Sequence, residues 1–220
     1  MSRLQDGGAR LAQEATRRIA ALASLQPDYR QQDAAPLRFG VLDDALEDVA
    51  AYRAALLATP VETVAVGPTR YHGLIDAPME PLGMLVQRWG ACVPTATFAR
   101  LSPWGQDEPN YIHTDCDMGD WTAILYLTET PAAGDGTTFW RSRETGQPRS
   151  TAVGLSALHD EWAGWRNLSA WEPYAQVPAV PNRLIWFESG AFHSRAIREN
   201  YGVGQSARLI QVMFGTFGKD

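Results

Sequence analysis

The sequence predicts a mainly β protein with flanking helices, and three observations carry that prediction. Runs of strand length recur from about Val61 onward, turn residues separate them, and helical periodicity is confined to the chain before Pro60. In chain order, LAQEATRRIAALAS (Leu11 to Ser24) spaces apolar residues helically among good helix formers. LRFGVL (37–42) alternates and is rich in branched and aromatic residues, which predicts a strand. Asp43 or Asp44 then supplies the N-cap of a second helix running to about Ala58, where Pro60 stops it. The strand candidates that follow are ATFARL (96–101), WTAILYLT (121–128), TTFWRS (137–142), RLIWFE (183–188) and ARLIQVMFG (207–215). Ser102-Pro103-Trp104-Gly105, Ala133-Gly134-Asp135-Gly136 and Glu188-Ser189-Gly190 break the chain between them. This is the pattern of a sandwich or barrel with helices on one face. The segment 153–176, with Trp162, Trp165 and Trp171 among polar and small residues, reads as a long ordered insertion whose Trp side chains mainly pack.

Length, charge and cysteine usage narrow the class. The 220 residues fit a single domain over 1–220, with 1–60 supporting a β core over 61–220. Nineteen Lys+Arg against 25 Asp+Glu give a net charge of −6 with no basic block, so no nucleic-acid partner is expected. The longest apolar stretches are interrupted well before the roughly 20 residues a membrane span needs, and the N-terminus lacks the apolar segment of an export signal. Two cysteines, Cys92 and Cys116, make no disulfide framework, which suits a reducing cytoplasm.

Nucleotide loops, nucleophile elbows and zinc-protease motifs are absent, so attention falls on histidine. In YIHTDCD, His113 and Asp115 are one residue apart, and on an extended segment both side chains point to one side and can converge on one ion. His193, after a strand and a sharp turn in RLIWFESGAFHSRA, supplies the third donor of a two-His, one-carboxylate site. Such a site leaves open positions on Fe(II). Considered singly, a His after a Gly turn is more often a hydrogen-bonding core or surface residue, so the order of the surrounding segments has to decide. His72 and His159 have no such context and read as structural or surface residues.

In those segments the chain resembles the iron(II)- and 2-oxoglutarate-dependent oxygenases of the prolyl 4-hydroxylase-like branch, over about Leu37 to Phe217. RFGVLDDAL resembles the opening strand and helix. HTD is followed by TAILYL, then by Gly134-Asp135-Gly136-Thr137-Thr138-Phe139 where the family has a Gly-Gly-x-Thr-x-Phe turn. RLIWFESGAFH precedes GQSARLIQVMF as the distal His precedes a last core strand opening with Arg. The resemblance implies a double-stranded β-helix, a jelly roll of the cupin-like kind. It also implies Fe(II) held by His113, Asp115 and His193, and Arg208 on the distal carboxylate of 2-oxoglutarate. Arg195 and Arg198 compete with Arg208, which ranks first because it opens an apolar strand and because an Arg fork holds a carboxylate bidentately.

Where the family often has a Tyr three residues before the metal His, Asn110 stands here; Tyr111 and Tyr126 are the hydrogen-bonding candidates for 2-oxoglutarate. Asp135 replaces the second Gly, which a turn tolerates because Asp adopts left-handed backbone more readily than most residues. The interval from His193 to Arg208 is long, and RENYGVG forms a loop that could close over the pocket. The resemblance implies a hydroxylase or other oxidase of an unactivated C–H bond that uses O2 and converts 2-oxoglutarate to succinate. Asp115, in place of the Gly or Ala of related halogenases, disfavours halogenation.

A small molecule, amino acid or peptide is the expected substrate. The candidate wall residues are Trp140, Arg141, Arg143, Asp117 and Trp121, the arginines for an anionic group, with Trp162, Trp165 and Trp171 of the insertion as further candidates for which packing is preferred, and Cys116 reads as packing. Two other classes remain. A cupin-like metal enzyme without 2-oxoglutarate would keep the three ligands and leave Arg208 without an essential role. A non-catalytic jelly-roll binding module would show no iron dependence. Oligomeric state is undetermined.

Overall fold

The computed structural model describes residues 37–66, 69–108, 111–150 and 167–218. The predicted helix over Leu11 to Ser24, together with Asn110, His159, Trp162 and Trp165, lies outside the described residues. The first strand, β1 (Phe39–Leu42), leads into helix α1 (Val49–Leu57). Its cap is Asp48, whose carboxylate accepts from the Ala51 amide at 2.9 Å, rather than the expected Asp43 or Asp44. Asp43 is drawn off by Arg183, at 2.5 and 2.9 Å, and Asp44 sits in the approach turn at φ 51°.

Past Pro60 come β2 (Val61–Val66) and β3 (Thr69–Ile75), which pair with each other, and a short helix α2 (Leu82–Val86). The remaining strands are β4 (Cys92–Ser102), β5 (Trp121–Tyr126), β6 (Gly136–Ser142), β7 (Trp171–Pro178), β8 (Leu184–Glu188), β9 (His193–Arg195) and β10 (Arg208–Phe217). Strand β7 corrects the insertion expected over 153–176, because from Trp171 onward the chain is part of a sheet.

Among the described residues all strand pairs are antiparallel and fall into two sheets. The larger runs β1-β8-β5-β10-β4-β3-β2 and the smaller β7-β6-β9. His113 pairs with His193 and so lengthens the smaller sheet beyond β9. From β4 onward the chain passes between the sheets: β4 large, His113 small, β5 large, β6 and β7 small, β8 large, β9 small, β10 large. This winding is a double-stranded β-helix, as expected.

Alternation along the strands divides the interior in two. Ile210, Val212 and Phe214 of β10 share one face with Ile124 and Tyr126 of β5, and they meet Phe139 and Val177 of the smaller sheet. Leu209 and Met213, with Trp121, Ala123 and Leu125, face the other way and pack under Leu56 of α1 and Leu82 and Val86 of α2. Every residue of β5 and the first eight of β10 are therefore buried, which explains why TAILYL and RLIQVMF read as nearly unbroken apolar runs. Each large aliphatic or aromatic side chain buried there contributes about 1.5–3 kcal/mol.

Asn182 ties the helical layer to the sheet. At φ 63° it turns the chain into β8, its Oδ1 accepts from Leu46 N (2.9 Å) and its Nδ2 donates to Leu46 O (2.8 Å). Substituting Asn182→Ala strands both Leu46 groups and forces a Cβ-bearing residue to keep left-handed backbone without compensation. Urea unfolding should show a loss of about 2–4 kcal/mol, with Asn182→Gly less damaging by about 1 kcal/mol.

Candidate metal centre

Two strand ends and one turn bring three donors together. His113 and His193 face each other through reciprocal backbone hydrogen bonds, His113 N to His193 O at 3.0 Å and His193 N to His113 O at 2.9 Å. Asp115, two residues past His113, is anchored through its amide to Ser189 O at 2.8 Å. One ligand atom from each of His113, Asp115 and His193 lies within 4.8 Å of the others. His113 Nε2 is 3.7 Å from Asp115 Oδ1, His193 Nε2 is 3.4 Å from Asp115 Oδ2, and the two rings are 4.3 Å apart at 49°.

The surroundings prepare these groups as ligands. Nδ1 of His113 lies 3.0 Å from Tyr111 O and Nδ1 of His193 lies 3.0 Å from Ala191 O. A carbonyl can only accept, so each Nδ1 carries the proton and each Nε2 presents its lone pair to the cluster. Thr122 Oγ1 donates to Asp115 Oδ2 at 2.9 Å and is itself 3.1 Å from Ser189 Oγ, which fixes the carboxylate. Burial first, and then the neighbouring His113, push the pKa of His193 from 6.5 down to about 4, against the opposing pull of Asp115. At neutral pH His193 is a neutral imidazole. Two imidazole nitrogens and one carboxylate oxygen on one side of a point suit a divalent first-row metal and leave its other side open.

The interior face of β10 brings Arg208 to the same space between the sheets. Arg208 is buried, and its Nε donates to both Asp135 oxygens at 3.1 Å. Its terminal nitrogens have no hydrogen-bond partner among the described residues. Tyr126 lies on the same face, with its hydroxyl 2.6 Å from Thr137 Oγ1; burial raises its pKa, so the phenol stays protonated. Arg195, two residues after His193, belongs to the same region, and both of its terminal nitrogens are engaged. Nη1 donates to Asn200 Oδ1 (2.8 Å) and pairs with Glu108 (3.3 Å), and Nη2 donates to Arg198 O (2.5 Å). Arg100 on β4 completes the group through Glu108 at 2.5 Å. Burial depresses the pKa of Arg100 and of Arg195, and the charge of Arg208 adds to the depression in both.

Other candidates fall elsewhere. Trp121 is fully buried on the opposite face of β5, with Nε1 donating to Thr216 O at 3.0 Å; it is core under the helices and no part of the pocket wall. Trp140 bonds Ser194, whose side chain alternates away from His193, and packs with Tyr111, Trp171 and Phe192 in a satellite cluster. Tyr111 joins that cluster at 6.3 Å from Trp140, under the Arg198 guanidinium at 5.4 Å, and contributes only its carbonyl to the metal centre. Arg141 and Arg143 pair with Glu172 and are substantially exposed, Arg141 also lying 4.8 Å over the Tyr174 ring.

Thr122, Asp135 and Glu108 were not singled out as functional residues from the sequence. Thr122 was legible only as the first residue after Trp121 on the opposite strand face. Tyr71 on β3 was missed as well; burial and then the charge of Asp117 raise its pKa, with Asp115 adding to the effect.

Residues 95–209 match the model described as a family of unknown function, DUF6445. No curated protein matches. Among solved structures, the non-heme alpha ketoglutarate dependent carbocyclase SnoK from nogalamycin biosynthesis is 14% identical, with 80% of this chain and 78% of that one covered and a TM-score of 0.49. HygX from Streptomyces hygroscopicus, with nickel and 2-oxoglutarate bound, is 14% identical over 80% and 82% of the two chains at 0.49. EctD from S. alaskensis, with 2-oxoglutarate and 5-hydroxyectoine, is 13% identical over 87% and 78% at 0.48.

Two outcomes follow from this geometry. Replacing Thr122 by Val keeps the shape and removes the donor to Asp115, and a metal titration should show affinity about 10–100-fold weaker. For His193 the folded pKa of about 4 lies below the unfolded 6.5, so between those values the unfolded chain takes up a proton that the folded chain refuses. Its contribution to the stability of the metal-free protein is complete above pH 6.5 and falls by about 3 kcal/mol as pH drops to 4. Chemical unfolding of wild type and His193→Asn at several pH values should show a shallower slope in the variant.

Proposed function

The chain belongs to the DUF6445 family, a family of unknown function, and from its site we propose that it is an Fe(II)- and 2-oxoglutarate-dependent oxygenase acting on an unactivated C–H bond. The observation that supports this best is the pairing of two features between the sheets: a two-His, one-carboxylate group and a buried arginine whose terminal nitrogens bond no described residue. Iron with 2-oxoglutarate and O2, when bound, supplies oxidation of an unactivated C–H bond coupled to conversion of 2-oxoglutarate into succinate and carbon dioxide.

The chain's own residues do the rest. His113, Asp115 and His193 hold one side of the metal and keep the other free, and Thr122 holds the carboxylate oxygen in place. Arg208 takes the distal carboxylate, because its terminal fork bonds no described residue, while both terminal nitrogens of Arg195 are engaged with Asn200, Glu108 and Arg198 and Arg100 is paired with Glu108. Tyr126, protonated and buried beside it, offers a hydroxyl to the same group. Phe187, edge-on to His193 at 4.7 Å, and Phe139 behind it keep water from the inner wall. The substrate is a small molecule, amino acid or peptide.

Anaerobic titration of metal-free protein with Fe(II) and 2-oxoglutarate tests this through the visible metal-to-ligand charge-transfer band. Wild type should show the band and His113→Ala should not. Arg208→Lys, which keeps a charge and loses the fork, should need about 10–100-fold more 2-oxoglutarate. Correctly folded wild type without the band contradicts the co-substrate and favours a metal enzyme of another kind.

A further inference from the structure

Among the described residues Asp135 is the one buried carboxylate, and parts of the chain distant in sequence converge on it. It sits between Gly134 and Gly136, at φ 83° and 151°, so the positive backbone angles fall on the glycines and not on Asp135 as expected. A Cβ at Gly136 would come within 2.1 Å of Val177 O, so the turn has no room for a side chain there. The Gly136 amide donates to Oδ1 at 2.7 Å. From the long loop between β9 and β10, Tyr201 donates its hydroxyl to Oδ2 at 2.8 Å, and burial followed by the Asp135 hydrogen bond keeps that phenol protonated. From β10, Arg208 donates Nε to both oxygens. The loop expected to close over the pocket is tied to this carboxylate through Tyr201, and Asn200 fastens it further to Glu108 at 2.8 Å and to Gln106 O at 3.0 Å.

A carboxylate that merely neutralised a buried arginine would be expected to take the terminal fork, the geometry in which guanidinium and carboxylate meet with two parallel bonds. Here the contact is through Nε alone. An Arg side chain has several rotatable bonds, and a grip at Nε removes most of that freedom while leaving Nη1 and Nη2 for an end-on bidentate partner. The local charge also permits an anion. Arg100, Arg195 and Arg208 carry three positive charges against the two of Glu108 and Asp135, so the group keeps one positive charge even with both carboxylates in place.

We propose that Asp135 is a positioning residue. It holds Arg208 by Nε so that the two terminal nitrogens face the pocket and receive the distal carboxylate of a 2-oxo dicarboxylate. Tyr201 and the Gly136 amide keep Asp135 itself in place. This rests on the 2-oxoglutarate reading above and adds a separate claim, since a simple counterion at this position would weaken the binding of a second anion and its removal would strengthen it.

The sign of one change therefore decides between positioning and neutralisation. Mn(II)-loaded wild type, Asp135→Asn and Tyr201→Phe are titrated by calorimetry with 2-oxoglutarate and with oxalate, which chelates a metal through the same end but has no distal carboxylate. Positioning predicts that Asp135→Asn binds 2-oxoglutarate about tenfold or more weakly, that Tyr201→Phe loses less, and that oxalate binds all three proteins alike. Equal oxalate binding shows that the metal centre of each variant is intact. Unchanged or tighter 2-oxoglutarate binding in Asp135→Asn, with wild type binding normally, overturns the positioning role alone. Wild type that binds oxalate and gains nothing from the distal carboxylate of 2-oxoglutarate overturns both readings.

Discussion

The two hydrogen bonds between the backbones of His113 and His193 are the contact on which the site depends. They join segments eighty residues apart, and they do so at the two positions whose side chains face a common point. A register slip of one residue at this bridge would turn a ligand to the opposite face of the smaller sheet. Asp115 then needs only its own anchor to Ser189 and the Thr122 hydroxyl to complete the group. The candidate metal centre is therefore a consequence of sheet pairing, with further hydrogen bonds added around it.

The larger sheet supplies the second constraint. Its central strands are covered on both sides, by helices α1 and α2 on one and by the smaller sheet on the other. Alternate residues of β5 and β10 therefore have unlike duties. Trp121 and Leu209 hold the helices, while Thr122, Tyr126 and Arg208 face the interior. Polar residues on an inner face are costly unless each finds a partner, and here Thr122 finds Asp115, Tyr126 finds Thr137 and Arg208 finds Asp135.

What could be read in the sequence, and what could not, follows from the same division. The cores of β5, β8 and β10 were legible because two-sided burial made them apolar runs, and β4 and β6 because turn residues bound short stretches rich in branched and aromatic residues. The hairpin of β2 and β3 was not isolated, being mixed in composition at the edge of the sheet, and β7 was hidden behind a Trp-rich segment with no clean period. Motif order singled out His113, Asp115, His193 and Arg208. Trp121 and Trp140 were misplaced because nearness in sequence to a ligand says nothing about strand face: Trp121 alternates away from Thr122, and Trp140 sits beyond the irregularity at Phe139/Trp140. Asp135 was noticed as a departure from a glycine turn, but its role was invisible, since its partners Tyr201 and Arg208 are more than sixty residues away. The cap of α1 went to Asp48 because long-range pairing with Arg183 removed Asp43 from local competition.

The central claim is that this interior couples a held iron to a 2-oxo dicarboxylate, and succinate formation tests it most directly. Iron-loaded protein incubated with 2-oxoglutarate in air should form succinate over a long incubation even before a substrate is identified, and Asp115→Ala, equally folded, should form none. Folded, iron-loaded wild type that consumes no 2-oxoglutarate, or Asp115→Ala that matches it, would contradict the account.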